Sequence, residues 1–388
     1  MSGGGQPDGA AIEGKGPDCG VRRVPERPLT LEETAVVEAE GIVAAASVRA
    51  AFNRKLSKRT RILLILFVAA MFVVSFSVGR YPVSPVELVQ NLWWHFFDPN
   101  AITSAQVQTV IFNIRLPRLL VAMLVGGALS VAGASYQGMF KNPLVSPDIL
   151  GASAGASLGA CLALLLNMPN TIVQLFAFVC GMLAVALAVG ANRLVKYDPI
   201  LGLVLGGILV STLFQAGTSL VKFLADANDK LPTITFWLMG SFSSVDQRDL
   251  LTILLPMVLG FGLLASQSWR LNVLSFGEEE ARSMGVNTRL TRLIVIFAST
   301  LIVSTSVAVA GVVGWIGLVI PHLGRALVGP DYRVLLPVSA LLGSSYLLLV
   351  DDIARLASSV EVPIGILTAL LGVPFFVVIF RHNMRGWK

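Results

Sequence analysis

An all-α, polytopic membrane fold is predicted by three features of this sequence. Apolar residues fill 55% of its 388 positions. Charged residues fill only 13%, about half the share of an ordinary soluble domain. The charges are also segregated, leaving uninterrupted apolar runs of the roughly 20 residues that a helix needs to cross a bilayer. A mean hydropathy of +0.76 sums up the same bias.

Residues 1–58 are rich in Gly, Pro and acidic side chains and have no apolar core to fold around, so they read as a cytoplasmic, mostly disordered extension. The apolar run at 62–80 begins behind Arg54, Lys55, Lys58, Arg59 and Arg61. It lies too far along the chain for a secretory leader and is expected to stay as an anchor. A second span is predicted at 119–139. Residues 149–192 contain no Asp, Glu, Lys or Arg. That is twice the length of one crossing, and Asn167-Met168-Pro169-Asn170 supplies a turn, giving spans at 149–167 and 171–192. Spans at 199–221 and 250–269 follow, separated by a polar stretch with Asp226, Asp229, Lys230 and Pro232. The uncharged run from 293 to 324 is again overlong; Gly311, Gly314, Gly317 and Pro321 divide it into spans at 293–312 and 314–328. Spans at 334–351 and 362–380 bring the total to about ten, all within a single transmembrane domain from residue 59 to 388.

An even number of crossings puts both termini on one side, and basic residues are retained on the cytoplasmic side. With both termini inside, 18 Lys and Arg fall on inner flanks and loops, seven fall outside, and four lie in the distal tail. Both termini are therefore expected in the cytoplasm. Small residues such as Gly126-Gly127, Ala132-Gly133-Ala134 and Gly151 to Ala156 are where helices should pack closely, because lipid gives no hydrophobic drive for helix association.

Several chemistries are disfavoured. The three cysteines (Cys19, Cys161, Cys180) and three histidines (His95, His322, His382) are dispersed, which suggests neither a disulfide framework nor a metal site. No glycine-rich phosphate loop ending in Lys-Ser or Lys-Thr is present, so this chain should not hydrolyse ATP. No span carries a carboxylate or lysine at mid-depth, where ion-coupled transporters place their relays. The energy for transport is therefore expected from a partner. The inner loop at 266–292 contains LNVLSFGEEEARSMGVNTRLTR, in which helix formers lie between Gly277 and Gly285, suiting either a docking helix or a solvated loop of mixed charge. Arg115 and Arg118 flank Leu116-Pro117 before the second span, and Arg355 follows Asp351 and Asp352 after the ninth. By themselves these arginines fit headgroup anchors as well as docking points. Trp93 and Trp94, beside His95 and not far from Arg80, fit interfacial anchoring.

The strings IRLPRLLVAMLVGGALSVAGASYQGMFKNPLVSPDILGASAGA (114–156), FWLMGSFSSVD (236–246), LSFGEEEARSMGV (274–286), GWIGLVIPHLGRALVGPDYRVLLPVSALLGSSYLLLVDDIARL (314–356) and EVPIGILTALLGVPFF (361–376) resemble the FecCD family. These are permeases of ABC importers for ferric siderophores, haem and cobalamin. The resemblance extends from about residue 60 to the end. It implies a type II ABC importer permease fold in the bacterial cytoplasmic (inner) membrane, with two permease subunits, identical or related, around a central path. Two ATPase subunits beneath would bind ATP and magnesium, and a periplasmic or lipid-anchored substrate-binding protein would sit above. No cofactor or metal is expected on this chain, and its contacts besides protein are with membrane lipid, not nucleic acid.

The loop residues Leu274, Gly277, Glu278, Glu279, Glu280, Ala281, Arg282 and Gly285 match the family's ATPase-coupling region, although Glu280 stands where the wider importer pattern has alanine. Arg115, Arg118 and Arg355 correspond to outward-facing basic residues that meet carboxylates of the binding protein. A ferric siderophore is the expected cargo as the commonest of the family, with haem or cobalamin as alternatives. A stand-alone secondary transporter is the competing class.

Overall fold

A computed structural model describes residues 58–79, 84–97, 105–192 and 199–384. The 1–57 stretch and Arg80 lie outside the described residues, as does the His95 side chain. The described chain is helical, with no strand. Its elements in order are α1 (Lys58–Ser77), α2 (Pro85–Phe97), α3 (Leu116–Met139), α4 (Ala152–Leu165), α5 (Asn170–Ala191), α6 (Pro199–Leu224), α7 (Lys230–Leu238), α8 (Gln247–Ser266), α9 (Ser268–Phe276), α10 (Glu278–Ser283), α11 (Thr288–Ala310), α12 (Ile316–Val328), α13 (Tyr332–Leu356) and α14 (Ile364–Met384). Among them six are long and apolar enough to cross a membrane, and four shorter apolar helices bring the number to ten.

Most predicted spans fall within a few residues of a helix, and the differences have physical causes. The second span starts earlier than 119, because helix is continuous from Gln106 to Met139, with a π-helical segment at Thr109–Arg115 leading into α3. Arg115 and Arg118 mark an end to a hydropathy reading, but here Arg118 is paired with carboxylates and Arg115 with a backbone carbonyl inside the bundle, so the helix does not stop at them. The third span is short: the turn Pro147–Leu150 and the left-handed Gly151 (φ 86°) consume residues that hydropathy assigns to helix, leaving 14 in α4. Helix α13 runs past 351 to Leu356 and so contains Asp351, Asp352 and Arg355.

Three helices, α2, α7 and α9, are absent from the sequence prediction because each is too short to span. In α2, Ser84 and Glu87 close a reciprocal cap (Ser84 N–H to Glu87 Oε2 at 3.0 Å, Glu87 N–H to Ser84 Oγ at 3.1 Å). The helix exposes Val86, Val89, Trp93 and Phe97, with the Trp93 and Phe97 rings stacked at 4.2 Å. That apolar face suits an interfacial helix.

Helix α3 is the axis of the bundle, packed against by α8, α11, α12 and α13, while α4, α5 and α6 form a side group joined to the axis through α11. The approach is close where small residues allow it. A side chain at Gly133 would overlap the backbone of Gly317 on α12, and one at Gly126 would overlap the backbone of Gly343 on α13. Some hydroxyls buried along these helices are satisfied locally: Ser130 and Ser135 donate to the carbonyls of Gly126 and Val131 at 2.8 Å, and Thr300 to that of Ile296 at 2.7 Å. By contrast, α6 exposes Leu201, Leu205, Leu209 and Leu213 along one face, a surface for lipid or a second subunit.

The glycine contacts carry a direct test. Replacing Gly133 with Leu forces α3 and α12 apart and should destabilise the chain by about 1–3 kcal/mol or more. Gly262→Leu on α8, where an added side chain meets nothing within 4 Å, should stay within about 0.5 kcal/mol. Thermal unfolding of the full chain in detergent, followed by size-exclusion recovery, measures both.

Candidate functional site

Two groups of chemistry-bearing side chains lie at opposite ends of the bundle. At one end the π-helical segment and Pro117 set Arg115 and Arg118 close together at the entry to α3. Arg118 is held by two carboxylates at once. Its Nη2 donates to Asp351 Oδ1 at 2.7 Å and to Glu361 Oε2 at 2.9 Å, Nη1 donates to Glu361 Oε1 at 2.9 Å, and Nε faces Asp351 Oδ1 at 3.1 Å. Arg355 lies one turn beyond Asp351 on α13; its Nε is 3.1 Å from Asp351 Oδ2, and it also pairs with Asp352. Its remaining donors reach the carbonyls of Val78 (2.6 Å) and Ser75 (3.1 Å), while Ser75 Oγ donates to Asp352 Oδ2 at 2.7 Å. Arg115 Nη1 donates to the Phe76 carbonyl at 2.5 Å. The group thus ties the end of α1, the start of α3, the end of α13 and the segment before α14 into one knot.

This corrects the expected exposure of the three arginines. Rather than facing outward, Arg115, Arg118 and Arg355 are 5%, 7% and 7% exposed. Three carboxylates of the same chain balance their charges, which is what makes burial of three guanidiniums tolerable. Asp351, Asp352 and Glu361 were missed as site residues. The signal was present in an acidic pair near the end of an apolar span with a basic residue four positions on.

At the other end, α9 and α10 meet at Gly277, whose φ of 152° and ψ of 162° belong to a region that only glycine enters freely. The loop is anchored by burial of Leu274 (1% exposed) and Ala281 (0%). Glu278 clamps it to α11, accepting from Arg292 at 2.7 Å and from Thr288 Oγ1 at 3.2 Å, and pairing with Arg282 at 2.8 Å. Partial burial works against the charge on Glu278, but the hydrogen bond and positive charge of Arg292, helped by Thr288 and Arg282, hold its carboxyl below the usual range. Gly285 (φ 79°) ends α10 in a left-handed turn, with its N–H on the Arg282 carbonyl at 2.9 Å. What the loop presents outward is Phe276, Glu279, Glu280, Arg282 and Met284. Apolar tips between carboxylates make a surface fit for a protein partner.

A clamp not anticipated from sequence joins this loop to α13. Asn272 on α9 donates from Nδ2 to Asp331 Oδ1 at 2.6 Å and accepts from the Tyr332 N–H at 2.8 Å. Asp331 is also the N-cap of α13, accepting from the Arg333 N–H at 2.9 Å. Helix α13 then runs about 30–36 Å from this clamp to Asp351, Asp352 and Arg355. One rigid element therefore connects the two groups.

Comparison with known proteins agrees with this architecture. The model of the FecCD transport family matches residues 62–382. The molybdate import system permease protein MolB of Haemophilus influenzae is 41% identical, over 83% of this chain and 95% of that one. A probable iron chelatin transport system permease of Helicobacter pylori is 37% identical, over 76% and 89%. A solved ABC transporter of metal-chelate type, in an inward-facing conformation, superposes with a TM-score of 0.74 at 39% identity, over 83% of this chain and 98% of that one. On the ten-helix architecture and a family match that covers nearly the whole described bundle, the chain belongs to the FecCD transport family of ABC importer permeases.

Proposed function

We propose that this chain, paired with a second permease subunit, forms the translocation path of an importer for an iron chelate such as a ferric siderophore. In this reading it lies in the bacterial inner membrane with both termini in the cytoplasm. A substrate-binding protein delivers cargo at the end carrying the arginine–carboxylate knot, and ATPase subunits that bind ATP and magnesium engage the Gly277–Gly285 loop. The chain does no covalent chemistry. The observation that carries the reading is α13: clamped to the coupling loop through Asn272 at one end and built into the ionic knot at the other, it can pass a displacement between the two faces without a mobile charge in the bilayer.

The docking role of Arg118 and Arg355 works through this knot. A carboxylate of the binding protein would compete with Asp351 and Glu361 for guanidiniums already fixed in orientation, and a bidentate contact of that kind is directional and weakened by salt.

A second reading has specific support. The relative at 41% identity is named for molybdate, a compact oxyanion unlike a siderophore. Haem and cobalamin remain family alternatives. Uptake into proteoliposomes bearing the assembled importer separates them: accumulation of iron-loaded siderophore, but not of molybdate, supports the first reading, and the reverse selects the second.

Two predictions follow from the site. Charge reversal at Arg118 and Arg355 (R118E, R355E) should lower capture of the binding protein and ligand-stimulated ATPase activity by tenfold or more, given about 2–5 kcal/mol for a truncated buried pair. Asp351→Asn, which perturbs the knot without reversing a docking charge, serves as the control. Capture equal to wild type across several salt concentrations, or losses no larger than those of the control, rejects the docking role. At the other face, Gly277→Ala places a side chain against the Glu280 carboxyl and strains the backbone by about 1–3 kcal/mol. It should reduce transport per ATP hydrolysed while leaving binding-protein capture intact; unchanged coupling counts against the loop's role.

A further inference from the structure

Helices α8 and α13 both pack on α3, and between them lies a groove of about 320 Å³. Val131 of α3 forms its floor, with Phe261 and Ala265 of α8 on one side and Leu336 and Ala340 of α13 on the other. All of these are apolar. The polar lining is confined to one end, where Ser268, Tyr332 and Arg333 stand. Arg333 to Ala340 covers seven helical steps of α13, so the groove reaches about 10 Å along the bundle from its polar rim.

The Arg333 side chain is exposed, and no ion pair among the described residues engages it. This is the reverse of the other end of α13, where every arginine is buried and engaged. A guanidinium at the rim with an apolar slot beneath it complements one kind of molecule, with an anionic head and a hydrocarbon tail. Water cannot fill an apolar slot favourably at this depth, and a soluble anion would leave it empty.

We propose that this groove is a binding site for an anionic phospholipid of the inner leaflet, with the phosphate on Arg333 beside the Ser268 hydroxyl and an acyl chain against Val131, Ala265 and Ala340. The assignment to the inner leaflet rests on the topology proposed above. The bound lipid stands beside the Asn272–Asp331–Tyr332 clamp, against the end of α13 that the coupling loop holds. Lipid composition would therefore bias the same element that links the two faces.

Native mass spectrometry of the full-length chain, released from detergent carrying equal amounts of phosphatidylglycerol and phosphatidylcholine, tests the proposal. Wild type should retain phosphatidylglycerol about fivefold over phosphatidylcholine, the preference expected for one basic residue at a headgroup. Arg333→Gln should bring the two lipids to parity, while Arg289→Gln, an exposed arginine outside the groove, should leave the preference intact. Ala340→Phe should fill the slot and remove the retained lipid, with Ala265→Phe as a second variant if the first fails to fold. Equal retention of the two lipids by wild type, or a preference that survives Arg333→Gln, overturns the proposal. So does an Ala340→Phe variant that keeps its lipid but changes oligomeric state, since that makes the groove a chain-to-chain contact. The inner-leaflet assignment fails separately, through thiol labelling of Ser283→Cys in a Cys19→Ser background from the outside of intact cells, which leaves the mass-spectrometric result unaffected.

Discussion

Backbone contact between α3 and its neighbours is the constraint on which the rest of the molecule depends. In lipid no hydrophobic force pulls helices together, so association rests on dispersion and on how near two backbones can come. Gly133 against Gly317 and Gly126 against Gly343 let α12 and α13 lie directly on α3. With those approaches made, α8 and α11 close the remaining sides of the axis, and α4 to α6 attach through α11. A bulkier residue at Gly126 would move α13, the helix that joins the ionic knot to the Asn272 clamp.

The ionic knot shows how such a bundle accommodates charge. Removing a guanidinium from water is costly, and the Coulomb attraction of a partner repays this only when the remaining donors are also satisfied. Arg118 meets that condition with two carboxylates, and Arg355 is engaged by two carboxylates and two backbone carbonyls, its Nε having only the ion-pair contact with Asp351. The chain therefore has a fixed, electrically balanced end from which a partner can draw orientation without any charge entering the bilayer interior. That arrangement is consistent with a permease whose energy comes from another polypeptide.

The two ends of α13 differ in kind. The end at Asp351 and Arg355 is a buried ionic network, whereas the end at Tyr332 and Arg333 is fixed by the Asn272 clamp and by the buried Tyr332, Leu335 and Leu336 side chains, and borders an open groove.

Much of this was legible in the sequence. Ten apolar segments follow from hydropathy because a bilayer demands about 20 apolar residues per crossing and leaves little freedom in how they are met, and the broken runs at Asn167–Asn170 and Gly311–Pro321 were readable because turn residues have local causes. The Gly277 hinge and the loop around it could also be found, since both depend on near neighbours. What sequence could not place was Arg118 opposite Asp351 and Glu361, 233 and 243 positions away, or Asn272 on Asp331, or the gap between α8 and α13. Hydropathy records the cost of each residue alone in lipid, and so it ended a span at the arginines; only the packing of α3 against α13 supplies the carboxylates that cancel that cost. Local sequence therefore determined which segments enter the membrane, and long-range pairing decided which charges could go with them.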